Sequence, residues 1–171
     1  MVEEAERAWY HTRWVRVAAA QLVPSLPPFA ALTQAADGGG VRETDRRQIE
    51  VDLSRSAVRG LKVADAQKAA LRRLLRAWCV LRPDLGYSQA MNFVGVVAIT
   101  VAAGDEEGAF AIFVALMQRL PADFYAEAPP LRGFQVEVAT LTALLEEHLP
   151  GLLTLADGAL LEALPLIACK W

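Results

Sequence analysis

The stretch of residues 66–81 carries the strongest folding signal in the chain. Apolar side chains recur there at the i, i+3, i+4 and i+7 spacing of one α-helical face, at Leu71, Leu74, Leu75 and Trp78. Pro83 follows, and proline ends a helix because it lacks an amide donor and restricts the residue before it. Alanine and leucine, both strong helix formers, supply 31 and 24 of the 171 residues. The sequence therefore predicts an all-α fold.

Proline and glycine divide the rest of the chain into further helical segments. We expect helices over residues 5–23, 44–54, 89–101, 105–120 and 131–148, with short helical pieces at residues 29–32 and after Pro150 and Gly158. Thr44 and Asp65 are expected N-caps, and Asp37–Gly40 is an expected surface loop. Residues 89–101 are apolar nearly all round, which predicts a buried helix, although their many β-branched side chains leave a strand as the alternative.

Charge is distributed unevenly along the chain. Residues 1–82 contain 14 Lys and Arg against 9 Asp and Glu, whereas residues 83–171 contain 3 against 11. The asymmetry indicates either a polarised surface or two helical layers that happen to differ in charge. The overall acidity, with a pI near 5.4, argues against a dedicated nucleic-acid-binding protein.

Several common kinds of site have no signature in the sequence. The two histidines, His11 and His148, have no metal-ligand neighbours at suitable spacing, so we expect no metal site. Cys79 and Cys169 are too few for a disulfide framework, which favours a reducing compartment. Glycine-rich phosphate-binding motifs and catalytic-triad signatures are also missing. No apolar run reaches the roughly 18 residues that a membrane span needs.

Two short segments are unusual for a generic helical protein. In the first, Ile49, Asp52 and Arg55 are spaced by three, so on a helix they share a face and Asp52 can hold the Arg55 guanidinium. The alternative is an ordinary surface ion pair, which contributes little to stability.

The second segment places Tyr87, Gln89 and Asn92 around the start of an apolar helix. Polar side chains in such a position are either satisfied by hydrogen bonds or used for function. Taken alone, this segment favours a role in capping and turn formation.

Together, the two segments resemble the TBC domain, the Rab GTPase-activating module. The family pattern is IxxDxxR, then a leucine-rich helix, then GYxQxMN. It matches Ile49, Asp52 and Arg55, the helix of residues 66–81, and the run from Gly86 to Asn92. The resemblance continues weakly downstream and covers residues 29–171, whereas residues 1–28 match poorly and are expected to form an N-terminal helical extension.

The resemblance also implies an architecture. It predicts an irregular multi-helix TBC-like domain. Leu166–Trp171 resembles the start of a helix that the family usually continues. We therefore expect this sequence to lack the C-terminal half of the domain.

The resemblance implies a mechanism with two residues supplied in trans. Arg55 would be an arginine finger that neutralises charge on the phosphates, and Gln89 would be a glutamine finger that positions the attacking water. Asp52 would orient Arg55, and Tyr87 would aim the Gln89 loop. Supporting roles would fall to Ile49, Ser56 and Asn92. Ser56 and Ala90 depart from the family, which usually has Thr after the arginine and Gly after the glutamine.

The same resemblance implies the partner. The chain would stimulate a Rab-family GTPase, which itself binds the GTP and magnesium, so the chain would need no cofactor and would not be a hydrolase alone. It would act in vesicle trafficking in the cytoplasm, reaching endomembranes peripherally through that partner. The charge of Arg55 and of the cluster Arg72–Arg76 would attract an acidic GTPase surface or nucleotide phosphates. The alternatives are a catalytically weak TBC-like scaffold and a generic helical interaction domain.

Overall fold

The computed structural model describes residues 12–18, 26–56, 63–121, 124–125, 131–154 and 159–168. Within these residues the structure is helical and contains no β-strand, which confirms the predicted fold class. The chain divides into two compact units, Met1–Arg119 and Leu120–Trp171. The expectations for His11 and Cys169 lie outside the described residues.

The first unit contains six helices and a π-helical turn among its described residues. They are α1 (12–18), α2 (Phe29–Ala35), the turn Ala36–Gly40, α3 (Glu43–Leu53), α4 (Asp65–Leu81), α5 (Met91–Ala102) and α6 (Glu106–Met117). The second unit contains α7 (Arg132–His148), α8 (Pro150–Leu153) and α9 (Ala159–Ala168).

Helix α4 is central to the first unit and contacts α2, α3, α5 and α6. All four side chains of its predicted apolar stripe are buried. The Trp78 ring packs edge-on against Phe113, with ring centroids 5.5 Å apart. Burial of each large apolar side chain contributes about 1.5–3 kcal/mol, so the stripe that predicted the helix also holds it against its neighbours.

Helix α5 confirms the buried helix predicted for the apolar segment, and the strand alternative is wrong. Gly95 on α5 lies so close to Leu71 on α4 that a Cβ at this position would collide with the Leu71 side chain. Tertiary packing against α4 and α6 therefore outweighs the preference of the β-branched residues for a strand, because strand propensity is weak and burial overrides it. The helix ends at Ala102, and Gly104 follows with a positive φ of 101°.

Three local expectations differ from the structure. Helix α3 begins at Glu43, one residue before Thr44, with Arg42 at the N-cap position. Asp65 is the first residue of α4 rather than its cap; the Gln67 side chain accepts a hydrogen bond from the Ala64 amide at 3.0 Å. The predicted loop at residues 37–40 instead extends α2 as the π-helical turn, which Gly39 closes with a φ of 99°.

The second unit is built around its longest helix, α7, which contacts α8 and α9. The described bounds of α7, Arg132–His148, confirm the prediction for residues 131–148. Gly133 lets the backbone at Phe124 approach closely, because a Cβ there would collide with the Phe124 backbone. Phe124 also packs edge-on against Phe134, with ring centroids 6.4 Å apart.

Candidate functional site

A buried carboxylate, Asp52, lies at the centre of the candidate site. Its residue is only 3% exposed, near the end of α3. Oδ1 accepts a hydrogen bond from Nη2 of Arg55 at 2.8 Å. Oδ2 accepts one from the Tyr87 hydroxyl at 2.9 Å and one from the Gln48 amide at 3.2 Å. Three donors therefore compensate for the loss of water around this carboxylate.

The Arg55 guanidinium is held by one hydrogen bond to Asp52, but its side chain is otherwise exposed to solvent. Helix α3 ends at Leu53, and the Arg55 amide donates to the Asp52 carbonyl at 3.0 Å, which folds the chain back on the helix end. The Arg55 side chain nevertheless remains 61% exposed. A guanidinium has five N–H donors in a planar fork, so the bond to Asp52 fixes its direction while most of its donors face outward.

Gln89 lies in the loop between α4 and α5 and is exposed. The loop is fixed on its buried side, where the Trp78 indole donates to the Gly86 carbonyl at 3.0 Å. Gly86 has a φ of 62°, and a Cβ there would collide with the Arg42 guanidinium. Ala90, directly after Gln89, also has a positive φ, of 80°. The loop thus turns sharply on both sides of Gln89 and projects it into solvent.

A second buried link connects the two segments. The Ser56 hydroxyl donates to the Asp52 carbonyl at 2.7 Å, and the Asn92 amide donates to the Ser56 hydroxyl at 2.9 Å. Ser56 and Asn92 are both buried, and Asn92 Oδ1 has no hydrogen-bond partner. Hydrogen bonds from Tyr87 and Asn92, on either side of Gln89, therefore fasten its loop to the chain around Arg55.

The structure brings all the predicted site residues into one region of the first unit. Arg55 and Gln89 are exposed, while four polar residues beneath them are linked by hydrogen bonds, namely Asp52, Ser56, Tyr87 and Asn92. Ile49 is fully buried one turn before Asp52 and contributes packing alone.

The protonation state of Tyr87 suits its role as a donor. Burial raises the pKa of its phenol well above the usual range, and the hydrogen bond to Asp52 and the charge of that carboxylate raise it further. The phenol therefore keeps its proton at physiological pH, so Tyr87 continues to donate to Asp52.

Three structural contributors to the site were not among the predicted residues. Gln48 donates to Asp52 from one turn earlier, and its i, i+4 spacing was a signal available in the sequence. The Arg42–Asp45 ion pair at 2.9 Å, which lies against Gly86, likewise has the local i, i+3 spacing. The Trp78 contact with Gly86 depends on how α4 and the loop meet, and no local pattern carries that information.

The arginine cluster on α4 is engaged within the fold. Arg72 forms two hydrogen bonds with Glu50 on α3, at 2.6 and 2.8 Å, and Arg76 forms one at 3.1 Å. The hydrogen bond from Arg72 is the largest cause that lowers the pKa of Glu50. Arg73 pairs likewise with Glu106 on α6 at 2.8 Å. These cations therefore tie neighbouring helices together, and their charge is largely matched.

Other kinds of chemistry find little support among the described residues. No group of three or more His, Cys, Asp or Glu residues is placed to hold a metal ion there. Burial raises the pKa of Cys79 to about 12, so its thiol is protonated and unreactive. Across the part of the chain that the structure describes, no helix is long and apolar enough to cross a membrane.

The site is a surface rather than an enclosed pocket. Arg55 and Gln89 face solvent, whereas a cavity of about 490 Å³ is lined by Val63, Ile99 and Glu106 near the other end of α5. An exposed cation and an exposed amide, carried by two segments that buried hydrogen bonds link, suit contact with another macromolecule.

Comparison with known proteins identifies related sequences. The model of the Rab-GTPase-TBC domain matches residues 36–171. The chain is 32% identical to TBC1 domain family member 2A of Rattus norvegicus over 173 residues, covering 99% of this chain and 18% of the relative. Its namesake in Mus musculus is 36% identical over 73% of this chain and 14% of the relative. The chain thus spans less than a fifth of these relatives. No solved structure gives a significant match.

Proposed function

The chain belongs to the Rab-GTPase-TBC domain family, and we propose that it accelerates GTP hydrolysis on a Rab-family GTPase. Arg55 and Gln89 are the two residues that it supplies to the partner's active site. The chain covers a small share of its relatives' length, so this activity is proposed for the domain. Nucleotide and magnesium are brought by the GTPase.

Arg55 stabilises charge in this mechanism. Phosphoryl transfer spreads negative charge over the phosphate oxygens, so catalysis consists mainly of positioning and electrostatic stabilisation. A guanidinium is permanently charged and presents a planar fork to those oxygens. Because Asp52 already fixes one nitrogen of Arg55 at 2.8 Å, less side-chain entropy is lost when the remaining donors engage a phosphate.

Gln89 orients the water. Its carboxamide has both an acceptor oxygen and donor hydrogens, so it can accept from the attacking water while donating to a phosphate oxygen. That role requires an exposed side chain on a firmly held backbone. The Gln89 loop meets both requirements, since Gln89 is exposed and Tyr87 is buried with its hydroxyl 2.9 Å from Asp52.

A single observation carries the proposal. Asp52 accepts hydrogen bonds from Arg55 and from Tyr87, two residues before Gln89, through its two carboxylate oxygens. One buried group thereby holds the Arg55 guanidinium and also anchors the chain two residues before Gln89, which supports a coordinated role for the two side chains. Such preorganisation is what electrostatic catalysis needs, because a misplacement of 1 Å costs on the order of 100-fold in rate.

The cellular setting follows from the partner. Acting on a Rab-family GTPase, the domain works in vesicle trafficking on the cytoplasmic side and reaches membranes peripherally through that GTPase. Its own described helices include none able to span a membrane.

GTP hydrolysis by a panel of purified Rab GTPases tests the proposal. We expect the 171-residue chain to stimulate at least one of them, and Arg55→Ala to lower the stimulated rate by about 10³-fold or more. Arg55→Lys keeps the charge without the fork, so it should restore little activity. Gln89→Ala should also abolish stimulation. Arg16→Ala removes an exposed arginine on α1 and serves as the control. Stimulation that is unchanged by Arg55→Ala would refute the mechanism.

A catalytically weak scaffold is the second candidate, and Ala90 favours it. The family usually has Gly after the glutamine, and here Ala90 adopts a φ of 80° that glycine accommodates better. If this strain shifts Gln89, the chain binds the GTPase without speeding hydrolysis. Binding to a GTP-loaded Rab with no change in hydrolysis rate would identify this alternative.

A further inference from the structure

One face of α3 is exposed from the start of the helix to Arg55. Four exposed side chains lie within about 100° of the helix circumference at about 100° per residue, namely Glu43, Thr44, Arg47 and Val51, and exposed Ser54 and Arg55 follow directly after the helix. The opposite face is buried and includes Ile49 and Asp52. The exposed face is thus a continuous strip of surface that ends at the candidate finger arginine.

Arg47 and Val51 stand out on this face. Val51 is a large apolar residue that is 51% exposed between two arginines. Arg47 is exposed and forms no hydrogen bond or ion pair within the described part of the chain. Its neighbour Arg46 differs, since it donates to two backbone carbonyls. Arg72 differs too, because its charge is matched by Glu50. The positive charge of Arg47 is therefore available to a partner.

We infer that Arg47 and Val51 form a docking stripe for the GTPase, beside the Arg55 finger. The inference rests on the proposed function, because insertion of Arg55 at the nucleotide presses the exposed face of α3 against the surrounding GTPase surface. The partner carries a carboxylate opposite Arg47 and an apolar patch opposite Val51.

Helix geometry sets the spacing that the partner must match. The rise of 1.5 Å per residue places Val51 about 3 Å and Arg47 about 9 Å before Leu53, where the helix ends and the chain turns back at Arg55. The matching carboxylate on the GTPase therefore lies outside the phosphate site that Arg55 contacts, in the direction of the start of α3. This spacing makes the stripe a determinant of which GTPases the domain accepts, since it lies outside the nucleotide site itself.

The two residues contribute differently to association. A charge at the edge of an interface chiefly changes the association rate and its dependence on salt. Burial of the exposed half of an apolar side chain strengthens binding by roughly fivefold to tenfold. Both effects act on binding, whereas Arg55 and Gln89 act on the chemical step, so the two sets of residues are separable by kinetics.

The experiment titrates the 171-residue chain against a panel of purified, GTP-loaded Rab GTPases and measures both direct binding and hydrolysis. Arg47→Glu should raise the half-saturating concentration about tenfold and weaken its salt dependence, with the maximal rate within twofold. Val51→Asp should raise it about fivefold or more. Val51→Thr, which keeps the β-branched shape, is the milder variant if the aspartate unfolds α3.

Arg16→Glu is the matched control. It makes the same charge reversal on the exposed side of α1. The neighbouring Val15 lies close to Gly108 at the start of α6. The start of α6 follows the C-terminal end of α5, whereas Gln89 precedes its N-terminal end. Arg16→Glu should leave the half-saturating concentration within twofold.

The outcomes separate the docking stripe from the proposed function. If Arg55→Ala abolishes stimulation while Arg47→Glu and Val51→Thr behave like Arg16→Glu, the stripe is refuted and the function stands. If the chain binds a Rab without stimulating it and the stripe variants weaken that binding, the stripe stands and the catalytic function fails. Neither binding nor stimulation across the panel would overturn both.

Discussion

Replacement of Ala90 by glycine should stabilise the protein. Ala90 lies between Gln89 and the first residue of α5, with φ 80° and ψ −18°. A residue with a Cβ in the left-handed region costs about 1–2 kcal/mol because the Cβ crowds the following carbonyl. Glycine has no Cβ and adopts this conformation freely. The change therefore removes a local strain from the loop that carries Gln89.

The expected magnitude is the difference between two opposing effects. Relief of the left-handed strain contributes about 1–2 kcal/mol. The greater freedom of glycine in the unfolded chain costs about 0.4–1 kcal/mol. We therefore expect Ala90→Gly to raise the free energy of unfolding by about 0.5–1 kcal/mol, which corresponds to roughly 1–4 °C in Tm for a chain of this size.

Urea denaturation measures this change against two controls. Ala103 at the other end of α5 also has a positive φ, of 51°, so Ala103→Gly should stabilise the protein by a similar amount. Ala111 lies half-buried inside α6, so Ala111→Gly should destabilise it by about 0.5–1 kcal/mol. In the hydrolysis assay, only Ala90→Gly should change the stimulated rate, because only Ala90 adjoins Gln89.

Opposite signs at Ala90 and Ala111 are the decisive comparison. If Ala90→Gly lowers the free energy of unfolding as much as Ala111→Gly does, the backbone at Ala90 is not left-handed. The argument for strain beside Gln89 would then fail.

Three further predictions concern the surroundings of the site. Tyr87→Phe removes a donor from buried Asp52 and should lower the free energy of unfolding by about 1–3 kcal/mol in urea melts, with loss of stimulation; an unchanged stability would contradict the hydrogen bond. Gly86→Ala places a methyl group against the Arg42 guanidinium at a positive φ and should cost about 1–3 kcal/mol in the same measurement. Because the pKa of Glu50 is lowered on folding, chiefly by its hydrogen bond with Arg72, its stabilising effect is present above pH 4.5 and fades as the pH falls below that value. In melts at a series of pH values, Glu50→Gln should reduce the loss of stability at low pH. The difference should be less than about 1 kcal/mol because the pair is exposed.

The helices of this protein were largely predictable because their signals are local. The apolar stripe of α4, the end of α5 before Gly104 and the extent of α7 follow from spacing and from helix-breaking residues. Errors arose where chemistry at helix ends decides between neighbouring residues. The N-cap of α3 lies two residues before Thr44 and that of α4 one residue before Asp65, since a cap depends on the geometry of the preceding chain.

Contacts within the site were predictable to different degrees, depending on how far apart the two residues lie in the sequence. The i, i+3 spacing predicted contact between Asp52 and Arg55, and the structure shows it at 2.8 Å. The hydrogen bond from Tyr87 to Asp52 joins residues 35 positions apart. Contacts of that kind depend on how α3 packs beside the start of α5, which no periodicity encodes.

Residue spacing and short motifs were enough to assign the helical class, the family and the residues proposed to act on a GTPase. How the charges of the arginines are used depended on the packing of the helices. It matched Arg72 and Arg76 with Glu50, while it left Arg47 and most of Arg55 exposed. The physical reason is that a side chain's type is fixed by the sequence, whereas its burial and its partners are fixed by the elements that fold against it.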